Sequence, residues 1–311
     1  MLLKELAEDF VVTEVFTPKI EKGEFLIVKV VKKMRTTQEV AIALSQQLHI
    51  PLKSIGFAGL KDKHAITTQF FSLRKVSKQA VERLKISGAE ISSLGTSAEP
   101  IFIGAHEGNE FRIVVRDIDS LPEIPKTMIN LFGEQRFSTN NAEIGSCIVK
   151  KDFKKAAKLA REQHDCVSKA LAHNSADAVG ALHSLPRKIL QIYVSAFQSL
   201  LWNKAALICT TKKHEQTLPL PGFGMREEEC ICSVMQQESL SPRDFIIPQI
   251  PELSAQGGER NLLLKPANLK ISQLKPDELH ADKQKCVLDF TLPKGAYATE
   301  VVRQLFSVLR E

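Results

Sequence analysis

The sequence predicts an α+β protein: a mixed, mainly antiparallel sheet with flanking helices, into which a largely helical segment is inserted. Three observations predict it. Strand-like and helical patterns alternate over the opening third, and from about Asn140 the strand signals nearly vanish in favour of helices rich in Ala, Lys and Leu. A last strand and a last helix arrive only near the C-terminal end, so the helical part interrupts the sheet part.

FVVTEVF (Phe10 to Phe16) and FLIVKVV (Phe25 to Val31) are β-branched and apolar, and the turn residues between Pro18 and Gly23 make them an antiparallel pair. Thr36 with Glu39 forms a capping box, and Val40, Leu44 and Leu48 recur at helical spacing until Pro51 ends the helix. SIGFAGL is an apolar piece, KDKH a charged turn, TTQFFSL a strand and SKQAVERLK a short helix opening at Ser77. IFIGAHEGNEFRIVVRDI gives a glycine-containing loop that enters a strand at about Phe111, and IPKTMINLF gives a helix ending near Gly133. DFKKAAKLAREQHDCVSKALA and LPRKILQIYVSAFQSLLWNKAAL read as helices, the second with Pro186 at its start. The prolines and glycines of LPLPGFG and FIIPQIPELSAQGG mark loops or a boundary, and CVLDFTL and ATEVVRQLFSVL are the closing strand and helix.

At 311 residues, 43% hydrophobic and 25% charged, the chain can bury a substantial core and is neither disordered nor fibrous. Its six cysteines are scattered apart from Cys230 and Cys232, whose spacing suits neither a zinc ribbon nor a redox motif, so they are expected as reduced thiols. No histidine pairs with a second His or Cys at helical spacing, and no metal is expected. MLLKELAEDF carries acids where a signal peptide needs a basic start, and no apolar run is long enough to span a membrane. A cytoplasmic location follows as the expectation.

The formal charge of +6 is unevenly spread: Lys53 to Ile86 holds eight basic and two acidic residues, a surplus equal to that of the whole chain. A second run, Lys150, Lys151, Lys154, Lys155, Lys158 and Arg161, follows. Such local excess attracts a phosphate backbone, although a solvated lysine-rich face has the same composition.

Within FAGLKDKHAITTQ (Phe57 to Gln69), Asp62 stands between Lys61 and Lys63 at the end of an apolar piece and ahead of a strand. Cationic neighbours suit such a carboxylate to act as nucleophile or base, yet the pattern alone favours a solvated surface turn. His64 makes no dyad with Asp62, because neighbours on an extended chain face opposite ways.

This segment resembles the signature of the TruD family of tRNA pseudouridine synthases, G-x-K-D-[KR]-x-A-x-T-x-Q, with Gly59, Lys61, Asp62, Lys63, Ala65, Thr67 and Gln69 in register. EDFVVTEV, GAHEGNEFRIVVR, NLFGEQRFSTNNAEIG, YVSAFQSLLWN and LPKGAYATEVVRQLF resemble further motifs of that family in the same order, with Leu131 and Ser138 as departures. The resemblance implies a pseudouridine synthase catalytic domain over 1–139 and 264–311, with an inserted TRUD domain over 140–263. It implies isomerisation of a uridine, uridine 13 of tRNA by family expectation, with base flipping, through Asp62 and without a cofactor or metal. Asn109 is then expected to help position the aspartate and Phe111 to stack on the base. Lys61 or Lys63 is expected beside Asp62 or on RNA phosphate, and Gln135 and Arg136 on a loop or RNA. The expected partner is tRNA, with no membrane, and the expected state a monomer. The rival reading is a non-catalytic RNA-binding or chaperone protein.

Overall fold

Period-two alternation places the sheet, and the register of its strands decides which side chains share a face. The structure is a computed structural model and describes residues 1–125, 128–134, 137, 140–209 and 216–307. Contacts divide the chain into two compact units, one of Met1–Pro125 with Lys265–Ala298 and the end of the chain from Val302, the other of Lys126–Leu264 with Thr299–Val301.

The first unit is built on β1 (Phe10–Val15), β2 (Phe25–Lys33), β3 (Ile55–Phe57), β4 (Ile66–Arg74), β5 (Ala89–Ser97), β6 (Gly108–Ile118), β11 (Ala267–Ile271), β12 (Lys275–Pro276) and β13 (Gln284–Pro293). These form one nine-stranded sheet in the order β11-β13-β6-β1-β4-β2-β5, with β3 beside β4 and β12 beside β13. The β1–β4 pair is parallel, and the other described pairs are antiparallel. Helix α1 (Thr37–Leu48) starts at the expected capping box, with Thr36 accepting from the Glu39 N–H and the Glu39 carboxylate accepting from the Thr36 N–H. Its Val40, Ala41 and Leu44 pack on Leu26, Val28, Val30, Phe71 and Leu73 of the sheet. Helix α2 (Lys78–Glu82) is capped by Ser77 as expected, and α9 (Ala298–Ser307) follows β13.

The second unit holds α3 (Asn141–Val149), α4 (Phe153–Ala160), α5 (Asp165–His173), α6 (Ala178–His183), α7 (Arg187–Cys209) and α8 (Glu229–Gln237). It also has two small ladders, β7 (Met128–Ile129) with β10 (Leu263–Leu264) and β8 (Thr217–Leu220) with β9 (Gly258–Asn261). Helices α3 and α7 approach so closely that a Cβ on Gly145 would lie 2.0 Å from the Tyr193 carbonyl oxygen. Trp202 is fully buried on α7 and donates its indole N–H to the Leu218 carbonyl.

Four expectations are corrected. β1 and β2 do not pair: β4 lies between them, because a strand with Phe70, Phe71, Ser72 and Leu73 on its two faces belongs inside a sheet. IPKTMINLF is not a helix where it is described, since Asn203 takes both backbone groups of Phe132 and β7 pairs with β10. The helix foreseen from Asp152 onward is two helices, α4 and α5, separated around His164, whose ring hydrogen-bonds the Tyr193 hydroxyl at 2.8 Å. Finally, Cys209 and Cys230 are not free thiols. The end of α7 and the start of α8 bring their Cα atoms to 5.9 Å and they form a disulfide. Glu228 joins them in a group of metal-type donors, but sulfurs joined to each other offer an ion no thiolate.

Candidate active site

The sheet register gathers polar side chains on a face that is otherwise apolar. Along one row, Phe290 of β13 lies opposite Phe111 of β6, then Val12 of β1, Thr67 of β4 and Lys32 of β2. In the next row Asn109 lies opposite Glu14. Glu14, Lys32, Thr67 and Gln69 are all buried, so each must find a partner within the protein or leave a polar atom unmatched.

The segment between β3 and β4, residues 58–65, crosses over this polar patch and is fixed at many points. The Lys61 N–H donates to Thr37 Oγ1 at 2.9 Å, and the Thr37 hydroxyl donates to Gln69 Oε1 at 2.9 Å. Gln69 donates its amide N–H to the Gly59 carbonyl at 3.3 Å. The Lys61 ammonium turns inward to Glu14 Oε1 at 2.8 Å, and the other oxygen of Glu14 accepts from the Phe70 N–H. Lys32 donates to the carbonyls of Asp62 at 2.9 Å and Arg35 at 2.6 Å. Burial pushes the Lys32 ammonium down to about 8, against the pull of Asp62 in the other direction. With its backbone held this way, Asp62 keeps a partly exposed carboxylate, and Lys4 donates to its Oδ2 at 2.6 Å.

The Lys4 ammonium also sits over the Phe10 ring, 4.2 Å from its centroid. Phe10 meets Phe111 edge-on at 6.1 Å, and Phe111 stacks on Phe290 at 5.5 Å. Lys4 itself has a left-handed backbone, φ 61°. It is placed from both sides by Arg116: Leu2 exchanges both backbone hydrogen bonds with Arg116, and the Arg116 guanidinium grips the Asp9 carboxylate through two contacts of 2.9 Å.

Among the expected site residues, Asp62 therefore stands at the polar patch with Lys61 beneath it, but Lys61 pairs with Glu14 rather than with Asp62. Lys63 is exposed and lies 3.7 Å from Glu39. Phe111 is half-buried on the aromatic row. Asn109 makes no hydrogen bond to Asp62; its Oδ1 is buried and without a partner, as is Thr67 Oγ1. Gln135 and Arg136 lie outside the described residues. His64 is exposed, away from any role as a base. Sequence reasoning missed Lys4 and Lys32. The second carried a signal, for Val28, Val30 and Lys32 alternate and put a lysine on the inward face of a strand.

The family model of tRNA pseudouridine synthase D (TruD) matches residues 1–165 and 204–305. The chain belongs to the TruD family. That family is one of isomerases, and the chain is an enzyme of this class. The Methanosarcina acetivorans protein named "Probable tRNA pseudouridine synthase D" is 27% identical, over 98% of this chain and 92% of that one. The tRNA pseudouridine synthase D of Aquifex aeolicus is also 27% identical, over 98% and 97%. A crystal structure of the Methanosarcina mazei protein described as TruD superposes with a TM-score of 0.77 at 26% identity, covering 98% of this chain and 93% of that one. All the residues of the Asp62 site fall within the stretches that the TruD model matches. Among the described residues, no helix is long and apolar enough to cross a membrane.

Proposed function

We propose that the chain converts a uridine of tRNA, uridine 13 by family expectation, into pseudouridine, with Asp62 as its catalytic carboxylate and without a cofactor. One observation supports this above the others: the loop around Asp62 is locked by its own signature residues, while the carboxylate itself is left partly open and faces a lysine. A structural turn would need no such anchoring. The reaction breaks the C1′–N1 bond, turns the uracil and joins C5 to C1′, and an oriented carboxylate can start it by attack on base or ribose or by taking a sugar proton.

In this reading Phe111 stacks on the flipped uracil from a row already braced by Phe290. The unpartnered Oδ1 of Asn109 accepts an N–H of the base, which gives a reason for an otherwise costly buried acceptor. Lys61 acts through the loop, by holding it to Glu14. Lys63, Gln135 and Arg136 contact RNA. Residues 1–139 with 264–311 form the catalytic domain and 140–263 the TRUD domain, and the chain works as a cytoplasmic monomer.

Release of tritium from tRNA labelled at uridine C5 tests the reading, because isomerisation expels that hydrogen and binding does not. Asp62→Asn is expected to lower release by at least about 10³-fold while RNA affinity stays within about threefold. Unchanged release in that variant overturns the assignment. Absence of release from the wild type, with RNA binding intact, favours a binding protein or chaperone.

A further inference from the structure

The second basic run of the sequence divides into two sets once folded. Lys150 pairs with Glu238 at 3.2 Å, Lys155 pairs with Glu143 at 3.0 Å, and Lys151 is spent on the carbonyls of Val149 and Asp244. Lys154, Lys158 and Arg161 have no ion pair and no side-chain hydrogen bond among the described residues. At spacings of four and three residues they share one side of the α4 turn, and all three line one groove of about 600 Å³ formed with α5 and the start of α6.

Two serine hydroxyls, Ser168 and Ser175, share the groove with an aliphatic surface from Leu171, and no acidic residue lines it. Two acids of the flanking helices are engaged as caps: Asp152 caps α4 through the Lys155 N–H, and Asp177 caps α6 through the Gly180 N–H. Seven residues of helix advance about 10 Å, so the three cations form a row about as long as three base steps measured along the axis of a double helix, at ~3.4 Å each. No aromatic side chain lines the groove, so it offers a base no stacking surface, only cations suited to phosphodiester oxygens and the hydroxyl of Ser175, since the Ser168 hydroxyl donates to the Arg161 carbonyl at 3.1 Å. Lys154, Lys158 and Arg161 lie within the stretch matched by the family model, and Ser168 to Ala178 of the opposite wall lie outside it.

We propose that the groove of Lys154, Lys158 and Arg161 binds a phosphodiester segment of the RNA substrate other than the reacting nucleotide. This rests on the reading of the substrate as RNA. The contact is independent of base sequence and acts on capture rather than on chemistry.

The test uses the full chain and an unmodified tRNA transcript. It compares wild type, the triple variant Lys154→Ala, Lys158→Ala, Arg161→Ala, and a control with the same change in net charge at exposed positions, Lys22→Ala, Lys188→Ala, Lys265→Ala. Affinity is measured across salt concentrations, and tritium release gives kcat and KM. The groove variant is expected to flatten the slope of log K against log salt by about 2 to 3. Its KM should rise at least about tenfold, with kcat within about twofold of wild type. A slope and KM equal to those of the control overturn the proposal while leaving the isomerase reading intact. If the wild type releases no tritium but its RNA binding depends on the groove, the reading of the reaction fails and the groove stands. If the wild type binds no RNA, the groove proposal falls.

Discussion

Lys32 carries its charge at a position where a strand would ordinarily bury a valine. Desolvation holds its pKa at about 8, against an ordinary value of 10.5, so the unfolded chain binds the extra proton throughout the interval between them. Stability conferred by this position therefore rises with pH across that window, and the penalty is fully present below about 8. Urea unfolding of wild type and Lys32→Met, at pH values below, within and above the window, is expected to show wild type gaining on the variant by on the order of 2 kcal/mol as pH increases. A pH-independent difference would mean that Lys32 is not desolvated as described. At this scale the site was only partly legible. Asp62 and its signature could be read because they are contiguous, and Gln69 belongs to the pattern because it clamps the loop at Gly59. Lys4 could not be read, since its meeting with Asp62 depends on Arg116, which is more than a hundred residues away in sequence.

Between elements, packing distance sets the tolerance. The approach of α3 to α7 at Gly145 leaves the Tyr193 carbonyl where any Cβ would stand. Gly145→Ala is expected to destabilise the protein by about 1–3 kcal/mol, the usual cost of overpacking, seen as a lower urea midpoint with an unchanged slope. Equal midpoints would show that the two helices separate without cost. The capping box at Thr36 and Glu39, the cap at Ser77 and the closing strand and helix were legible because each is written in adjacent residues. Strand order was not. A turn between Phe16 and Phe25 suggests a hairpin, and only the burial of β4 on both faces explains why it is the strand that fills the space between them. IPKTMINLF misled for a related reason, because Asn203 satisfies the Phe132 backbone from a distant helix.

Across the first unit, the Arg116 guanidinium is the common anchor. It contacts Asp9 ahead of β1, and Asp277 at 2.8 Å and Glu278 at 3.1 Å beside β12, and it is almost wholly buried. Arg116→Met leaves the Asp9 and Asp277 carboxylates buried without their cation, and a loss of about 3–5 kcal/mol is expected. Because the Asp9 grip also helps place Lys4 on Asp62, turnover per folded molecule should fall as well. Gly145→Ala should lower stability without that second loss, and identical specific activities in the two variants would show that Lys4 needs no such anchor. The same arrangement has a consequence during synthesis. Phe111 has no Phe290 to stack on, and β6 no partner on the β13 side, until nearly all of the second unit has left the ribosome. At translation speeds of roughly 5–20 residues per second that interval is on the order of 10 s. For that time the nascent sheet presents an open edge able to pair with a neighbouring chain, and the enzyme's aromatic row is completed only when β13 arrives to close it.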